Sequence, residues 1–414
     1  MVKPFPARHQ AWALTGTGMP CNSILSTDKP TVAHRLWQIR PANQTPTGLG
    51  LPRPAGVYQG VLMQTRYCTQ ALLQFSQDLF VAKGMPLEKA ASTAQVLLRG
   101  ECFGKTTHGL ALLPAYLREI DSGGMTLHGE PVVLQDHQAC LSWDGCKLPG
   151  PWLLERAINE AMPRAKRYGM ASVNIQRSHH TASLSAYLQM ATERGFIIQI
   201  TLTDPGHSSV APFGGTSAVL TSNPIAFGAP TSAEPILIDM STSLATNAAV
   251  ARQQARGTAF NYPVLLDNQG RVSCDPAVMH SNPPGTILPL GGLEAGHKGF
   301  AMGLIAEVMA GCLSGGGRAT PSTGWSASVN LTLFDPRACA GNSAYLQHID
   351  ALVSACHSAT PRPGGDGVRL PGEQALHRTR DCKANGTPLP PDLAKQLNAL
   401  ALHYQLPALE PHQE

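Results

Sequence analysis

The chain has 414 residues, 43% hydrophobic and 14% charged, enough apolar material for a substantial core shared by two or three domains. Its net charge of +4 is concentrated at one end: residues 1–62 hold six Lys/Arg against one acidic residue, and the remainder holds 25 against 26. A nearly neutral body excludes a nucleic-acid binder, which needs a basic face. The longest apolar stretch, from Gly299, is broken by Glu307 and falls short of the roughly 20 residues of a membrane span.

Residues 1–62 contain eight prolines and lack amphipathic periodicity, which predicts a disordered or loosely attached extension. Prolines and charges interrupt the apolar run that a secretory signal needs, so a cytoplasmic location is expected. Met63 stands just before the first convincing helix, and a translation start there is a further expectation. The ten cysteines are scattered, with no CxxC pair, so neither a zinc nor a disulfide framework is expected. No metal ligands are assigned.

In chain order, "TQALLQFSQDLFVAKG" from Thr69 has Leu72, Phe75 and Leu79 at helical spacing, with Gly84 as a stop, and a second helix restarts near Pro86. Pro114 opens another helix, which Gly123 and Gly124 end. "PVVLQD" and "CLSWDG" read as strands. Residues 152–168 form a helix leading through Gly169 into the strand "MASVNI", then "TASLSAYLQMATERG" as helix and "FIIQITLT" as strand, a strand, helix, strand unit. "VAPFGG", "VLTSNPIAFGAP" and "PILIDMSTS" alternate apolar runs with turns. A glycine-bounded helix follows Gly296, then a strand "SVNLTLF" and helices near Ala344 and Asp392.

Neither a GxxxxGK[ST] loop nor a GxGxxG between strand and helix is present, which excludes a standard dinucleotide fold. His180, in "RSHHT", is expected where a strand yields to a helix, a place that exposes functional side chains and favours a neutral imidazole. It reads either as an acid/base group or as a hydrogen-bonded surface residue, and His179 is the weaker candidate. His108 in "TTHG" has the same two readings: an imidazole oriented by Thr107 beside a ligand that Gly109 admits, or a solvated residue beside a capping Thr. Lys298, flanked by glycines with His297, is either an anion ligand at a helix start or an ordinary surface lysine.

Together, "RGECFGKTTHGLALLPAY", "RSHHTASLSAYL", "VAPFGG", "TSNPIAFGAP", "LIDMSTS", "GHKGF" and "RLPGE" give the chain from Met63 onward a resemblance to the malate/L-lactate dehydrogenase family of non-Rossmann NAD(P)-dependent 2-oxoacid reductases, with its ureidoglycolate, sulfolactate and 2,3-diketogulonate members. The resemblance implies an α/β, L-sulfolactate dehydrogenase-like fold. A helical part over 63–145, a central sheet-rich NAD(P)-binding domain over 146–296, and a carboxy-terminal part over 297–414 that completes the helical domain are expected, in a homodimer.

It also implies roles. His108 is the proton donor, with Thr107 in the place of a serine; His180 lines the site and shares the acid/base work, with Ser178 as its orienting neighbour. Asp239, Met240, Ser241, Thr242, Ser243, His297, Lys298, Pro371, Gly372 and Glu373 bind NAD or NADP, and Asn223 shapes that pocket. The substrate is a small 2-oxo or 2-hydroxy acid. The family commonly has an arginine four residues after the first histidine, where this chain has Leu112. Arg118 or Arg177 is then expected to hold the substrate carboxylate, and Asp204 to alter the pocket. The rival readings are a reductase of cyclic imines (piperideine- or pyrroline-2-carboxylate) and a non-catalytic dinucleotide-binding homologue.

Overall fold

Helix formation begins where the periodicity places it, in a computed structural model that describes residues 65–412. The extension over 1–62 and the start at Met63 lie outside the described residues. After the short strand β1 (Arg66–Tyr67), α1 (Thr69–Ala82) buries Leu72, Phe75 and Leu79 on one face and stops before Gly84, whose φ of +83° a side chain would strain. α2 (Leu87–Cys102) follows Pro86, where a missing N–H costs nothing. Two 3-10 turns, Thr106–His108 and Leu110–Leu112, lead into α3 (Leu113–Asp121), with Pro114 in its first turn.

The strands β2 (Val132–His137) and β3 (Cys140–Asp144) precede α4 (Gly150–Tyr168), which ends at Gly169 in the left-handed region. Then come β4 (Met170–Ser178), α5 (Ser185–Thr192), β5 (Ile197–Thr203), β6 (Ile225–Ala229) and β7 (Ile236–Met240). A smaller lobe holds α6 (Asn247–Arg256), whose N-cap Thr246 accepts the Ala249 N–H, and a sheet of β8 (Leu265–Leu266), β9 (Val272–Ser273) and β10 (Thr286–Ile287). α7 (Gly292–Ala306) runs into a π-helical turn, Glu307–Cys312. The chain closes with β11 (Ala327–Phe334), α8 (Asn342–His357), α9 (Glu373–Asn385), β12 (Thr387–Pro388) and α10 (Pro391–His403). The "VAPFGG" segment makes only isolated bridges through Val210.

The main sheet has the order β2-β3-β4-β11-β5-β6-β7 and is mixed, because β3 and β4 run parallel while the other pairs are antiparallel. This is the α/β architecture expected. Its strands span residues 132–334, so the sheet draws on all three of the segments expected from sequence. β11 lies at its centre and alternates two chemistries. Val329, Leu331 and Leu333 join the apolar core, and α4 packs over β4 and β11. Asn330 donates to Asn174 at 2.8 Å and to Ser172 at 2.9 Å on the polar face. That polar face continues to Thr203, which donates to Glu307 of the π-helical turn. Glycines let the turn approach: a Cβ on Gly311 would meet the Thr203 methyl at 3.3 Å, and one on Gly316 the Ser328 hydroxyl at 2.6 Å. The two described ends meet, with β1 pairing β12 and Arg66 bonded to Asp381 at 2.8 Å.

Candidate active site

His108 is delivered by a loop pressed against the end of α2. A Cβ on Gly100 would come within 2.8 Å of the His108 carbonyl oxygen, and one on Gly109 within 2.8 Å of the Glu101 backbone nitrogen. Gly109 therefore serves helix packing, where ligand approach was expected. The Glu101 carboxylate accepts the Leu110 N–H at 2.9 Å and pins the loop from below. Burial pushes the Glu101 carboxyl up to about 7. The Thr107 hydroxyl lies 3.0 Å from His108 Nδ1.

His180 follows the end of β4, but α5 does not begin until Ser185, five residues further on, and Ala182 between them is left-handed with φ of +58°. The expected helix N-terminus is thus not what surrounds its ring. α4 supports this loop through Gly150, where a Cβ would meet the carbonyl oxygens of both His179 and His180 at 2.5 Å. The imidazoles of His108 and His180 stack with centroids 5.9 Å apart and planes 21° from parallel. The Tyr116 hydroxyl is 2.9 Å from His180 Nδ1, and the Ala182 N–H donates to the same nitrogen at 3.2 Å. Trp325 closes the cluster, its ring centroid 5.1 Å from that of His180. Burial holds His108 below the ordinary histidine range, with Asp239 pulling it up and Lys105 down, and holds His180 well below it.

The Ser178 hydroxyl donates to the His179 carbonyl at 2.8 Å, so the orienting contact on His180 comes from Tyr116 and not from Ser178. His179 is fully buried, with Nε2 3.3 Å from a Glu119 oxygen, and burial pushes it down to about 4. It is an internal group of the cluster.

Asp239, near the end of β7, accepts the Ser183 hydroxyl at 3.1 Å and the Ser185 N–H at 2.9 Å. This ties the expected cofactor segment to the His180 loop. Lys105 donates to the Asp239 carbonyl at 3.2 Å, and Arg252 of α6 reaches the Thr106 hydroxyl at 3.5 Å. Met240 ends the strand; beyond it the hydroxyls of Ser241, Thr242 and Ser243 bond to the carbonyls of Ser243, Ser222 and Ala245 and fix the loop's shape. Asn223 is a buried bracket, taking the Thr203 hydroxyl and donating to the Gly303 carbonyl and Glu307.

His297 and Lys298 are exposed and lie inside α7, beyond its first turn, because the helix starts at Gly292. Lys298 is therefore not at a helix start as expected; His297 packs edge-on against Phe213 with centroids 5.7 Å apart. Pro371 accepts the Leu237 N–H at 2.9 Å, and Gly372, at φ of +104°, passes so close to β7 that a Cβ would meet the Leu237 nitrogen at 2.9 Å. Glu373 bonds to the Leu370 N–H and to His357, which makes this segment a clasp between α9 and β7.

The substrate cations fare differently. Both oxygens of Asp144 take the Arg177 side chain, at 2.9 Å from Nε. The carboxylate clamp expected of Arg177 is already spent within the protein. Arg118 is exposed, and on α3 it sits off the face shared by Tyr116 and Glu119, which point to His180 and His179. Asp204 accepts the Gly206 N–H at 3.0 Å; burial raises its carboxyl while His207, Arg318 and Lys147 draw it down. Arg318 pairs with Glu307 at 2.6 Å, and Lys147 donates to the Thr323 carbonyl beside Trp325. Sequence reasoning missed Glu119, Trp325 and Arg252, which no spacing joins to the histidines; Lys105 and Tyr116 lay inside a quoted motif without being assigned a role. Among the described residues no cluster of His, Cys, Asp or Glu is placed to hold a metal.

The chain is matched over residues 68–398 by the family model described as malate/L-lactate dehydrogenase. It is 31% identical over 321 residues to an L-lactate dehydrogenase of Cupriavidus necator, covering 74% of this chain and 89% of that protein. Among solved structures it resembles the malate dehydrogenase of Pyrococcus horikoshii (TM-score 0.75, 25% identity, 84% of this chain and 97% of that one). The sulfolactate dehydrogenase of Methanocaldococcus jannaschii shares the fold (TM-score 0.73, 22% identity, 82% and 98%). So does the delta1-piperideine-2-carboxylate reductase of Pseudomonas syringae (TM-score 0.71, 26% identity, 81% and 99%).

Proposed function

Since the chain belongs to the malate/L-lactate dehydrogenase family, a family of oxidoreductases, we propose that it interconverts a small 2-oxoacid and the matching 2-hydroxyacid with a nicotinamide cofactor, NAD or NADP. The observation that carries this reading is the stacked His108 and His180 pair, with Thr107 on one ring and Tyr116 on the other, and with Lys105 and Arg252 bonded to Asp239 and Thr106 alongside. Those two cations are countered nearby only by Asp239, 4.0 Å from Lys105, among the described residues. Such a donor set fits the pyrophosphate of a dinucleotide. When bound, the dinucleotide supplies or accepts the hydride.

The chain's own residues handle the proton. Neutral His108 takes the proton of a 2-hydroxyl in oxidation, and protonated His108 returns it in reduction, a contribution of about 10² to 10⁴-fold for a well-placed group. Asp239 accepts from Ser183 and Ser185, which ties the cofactor-side strand end to the histidine-side loop. The same reading gives the "DMSTS", His297-Lys298 and Pro371 to Glu373 segments to the cofactor, keeps the protein in the cytoplasm, and makes it a homodimer.

A second reading is favoured by Leu112 and Trp325. Leu112 stands where the family commonly has an arginine and packs against the apolar core, the Trp325 ring lies 5.1 Å from that of His180, and the structural likeness extends to a piperideine-2-carboxylate reductase. A cyclic imine carboxylate is the substrate in that case. One assay separates the readings: 2-oxoacids and cyclic imine carboxylates are offered in turn with NADH and NADPH, and cofactor absorbance is followed. Oxidation with a 2-oxoacid supports the first reading and oxidation with the imine alone the second. Cofactor binding without turnover of either would reject both.

A further inference from the structure

A main-chain donor faces one nitrogen of His180, and beside it the Tyr116 hydroxyl donates to the His180 carbonyl at 3.0 Å. The Ala182 N–H donates to Nδ1 at 3.2 Å, and the Tyr116 hydroxyl stands 2.9 Å from the same atom. A main-chain N–H has no other role than donation, so Nδ1 must present its lone pair there. A neutral imidazole whose Nδ1 is bare carries its proton on Nε2. Turning the ring over would put a carbon in front of the Ala182 N–H, and protonating Nδ1 would set one N–H against another.

The surroundings oppose charge as well. Burial lowers the ring's proton affinity, and His108 and His179 push in the same direction. From α3 the ring meets Tyr116, which is neutral because burial raises its hydroxyl far above its usual range. Glu119, the acid of that helix, is turned to His179, and Trp325 adds an uncharged aromatic wall. The α4 start offers only Gly150.

We propose that His180 is not a second acid/base group but a fixed hydrogen-bond donor, held as the Nε2–H tautomer by the Ala182 N–H, which polarises a substrate oxygen while His108 alone exchanges the proton. The inference rests on the oxidoreductase reading for the word substrate, but the tautomer itself does not. Tyr116 is the positioning residue and His180 the donor. Preorganised donors of this kind are each worth about 10² to 10³-fold in rate.

The test reads the tautomer first. The full-length protein labelled with ¹⁵N in its histidine rings is examined by long-range ¹H–¹⁵N correlation from pH 8 to pH 5, with the His180 signals assigned by their loss in His180→Gln. A neutral ring with protonated Nε2 and bare Nδ1, unchanged across that range, is the expected result. Protonation at Nδ1, donating to Tyr116, or a titration of His180 inside the range, would overturn the proposal whatever the enzyme turns over. Kinetics give the second arm. His180→Gln is expected to lower kcat/KM by about 10² to 10³-fold while leaving the position of the pH limb where wild type has it. A limb that disappears with His180 and survives His108→Gln would also overturn it. Tyr116→Phe is expected to lower kcat more than it raises KM, without moving the limb.

Discussion

At His108 the direction of the burial effect sets the direction of the pH dependence. Its ring is held below the ordinary histidine range, so at neutral pH it stands ready to accept a proton. Oxidation of the 2-hydroxyacid should be at full rate above about pH 6.5 and fall as pH drops through the lowered value, while reduction should gain in the same interval. Steady-state kcat/KM profiles in both directions check this, and His108→Ala should cost about 10² to 10⁴-fold in each. His179 makes a different prediction. Sequence reads it as the weaker candidate of the pair, yet it is buried and pushed down to about 4. The unfolded chain takes up a proton near pH 6.5 that the folded chain refuses, so stability is full above that pH and falls on the way to about 4, at up to ~1.4 kcal/mol per pH unit. Thermal melts from pH 7.5 to 4.5 should show a shallower acid decline for His179→Asn than for wild type; parallel declines would remove His179 from the account.

The loop after α2 is the element on which the proposed chemistry depends, and its anchor is Glu101. The sequence shows why the loop turns, through its glycines, but not that a buried carboxylate holds the Leu110 N–H. Glu101 keeps its proton to about pH 7 in the fold, against 4.5 for an ordinary glutamate. The folded chain therefore binds a proton that the unfolded chain has released, and stability falls as pH rises from about 4.5 through about 7. Glu101→Gln keeps the carbonyl acceptor and removes the charge, so its melting temperature should lose this decline. Glu101→Ala leaves the N–H unpaired and should cost about 1 to 3 kcal/mol. Gly109→Ala drives a methyl into the α2 backbone and should destabilise by a similar ~1 to 3 kcal/mol. Chemical denaturation of the three variants at pH 5.5 and pH 8 separates the effects. The β4 exit teaches the complementary lesson. The strand and the following helix were both legible in "MASVNI" and "LSAYLQMA", but the helix start was read too early, because the left-handed Ala182 and the tertiary demand of Tyr116 override the local apolar pattern.

At the scale of the whole molecule, what was legible was whatever repeats locally: the amphipathic helices, the strand order along the chain and the ordered motifs that carried the family resemblance. What was not legible is long-range. Tyr116 and Trp325 meet His180 only because α3 and the start of β11 converge on the β4 exit, and Arg177 is lost to the substrate only because Asp144 lies opposite it in the fold. The surface leaves one further consequence. Leu304, Ile305 and Val308 are 44%, 52% and 53% exposed on the end of α7 and the π-helical turn, with Leu304 and Val308 stacked at i, i+4 spacing. Large side chains left together in water on one helical face mark an association surface, and a second copy of the chain is the occupant that the proposed homodimer requires. A closed two-fold contact would put Leu304 of each chain against the other's apolar face, where a lysine on both sides sets like charges together. Light scattering after size exclusion should therefore give twice the chain mass for wild type and the chain mass for Leu304→Lys combined with Val308→Lys. A dimer that survives both lysines would move the interface elsewhere, and a wild-type monomer would remove the homodimer from the proposed function.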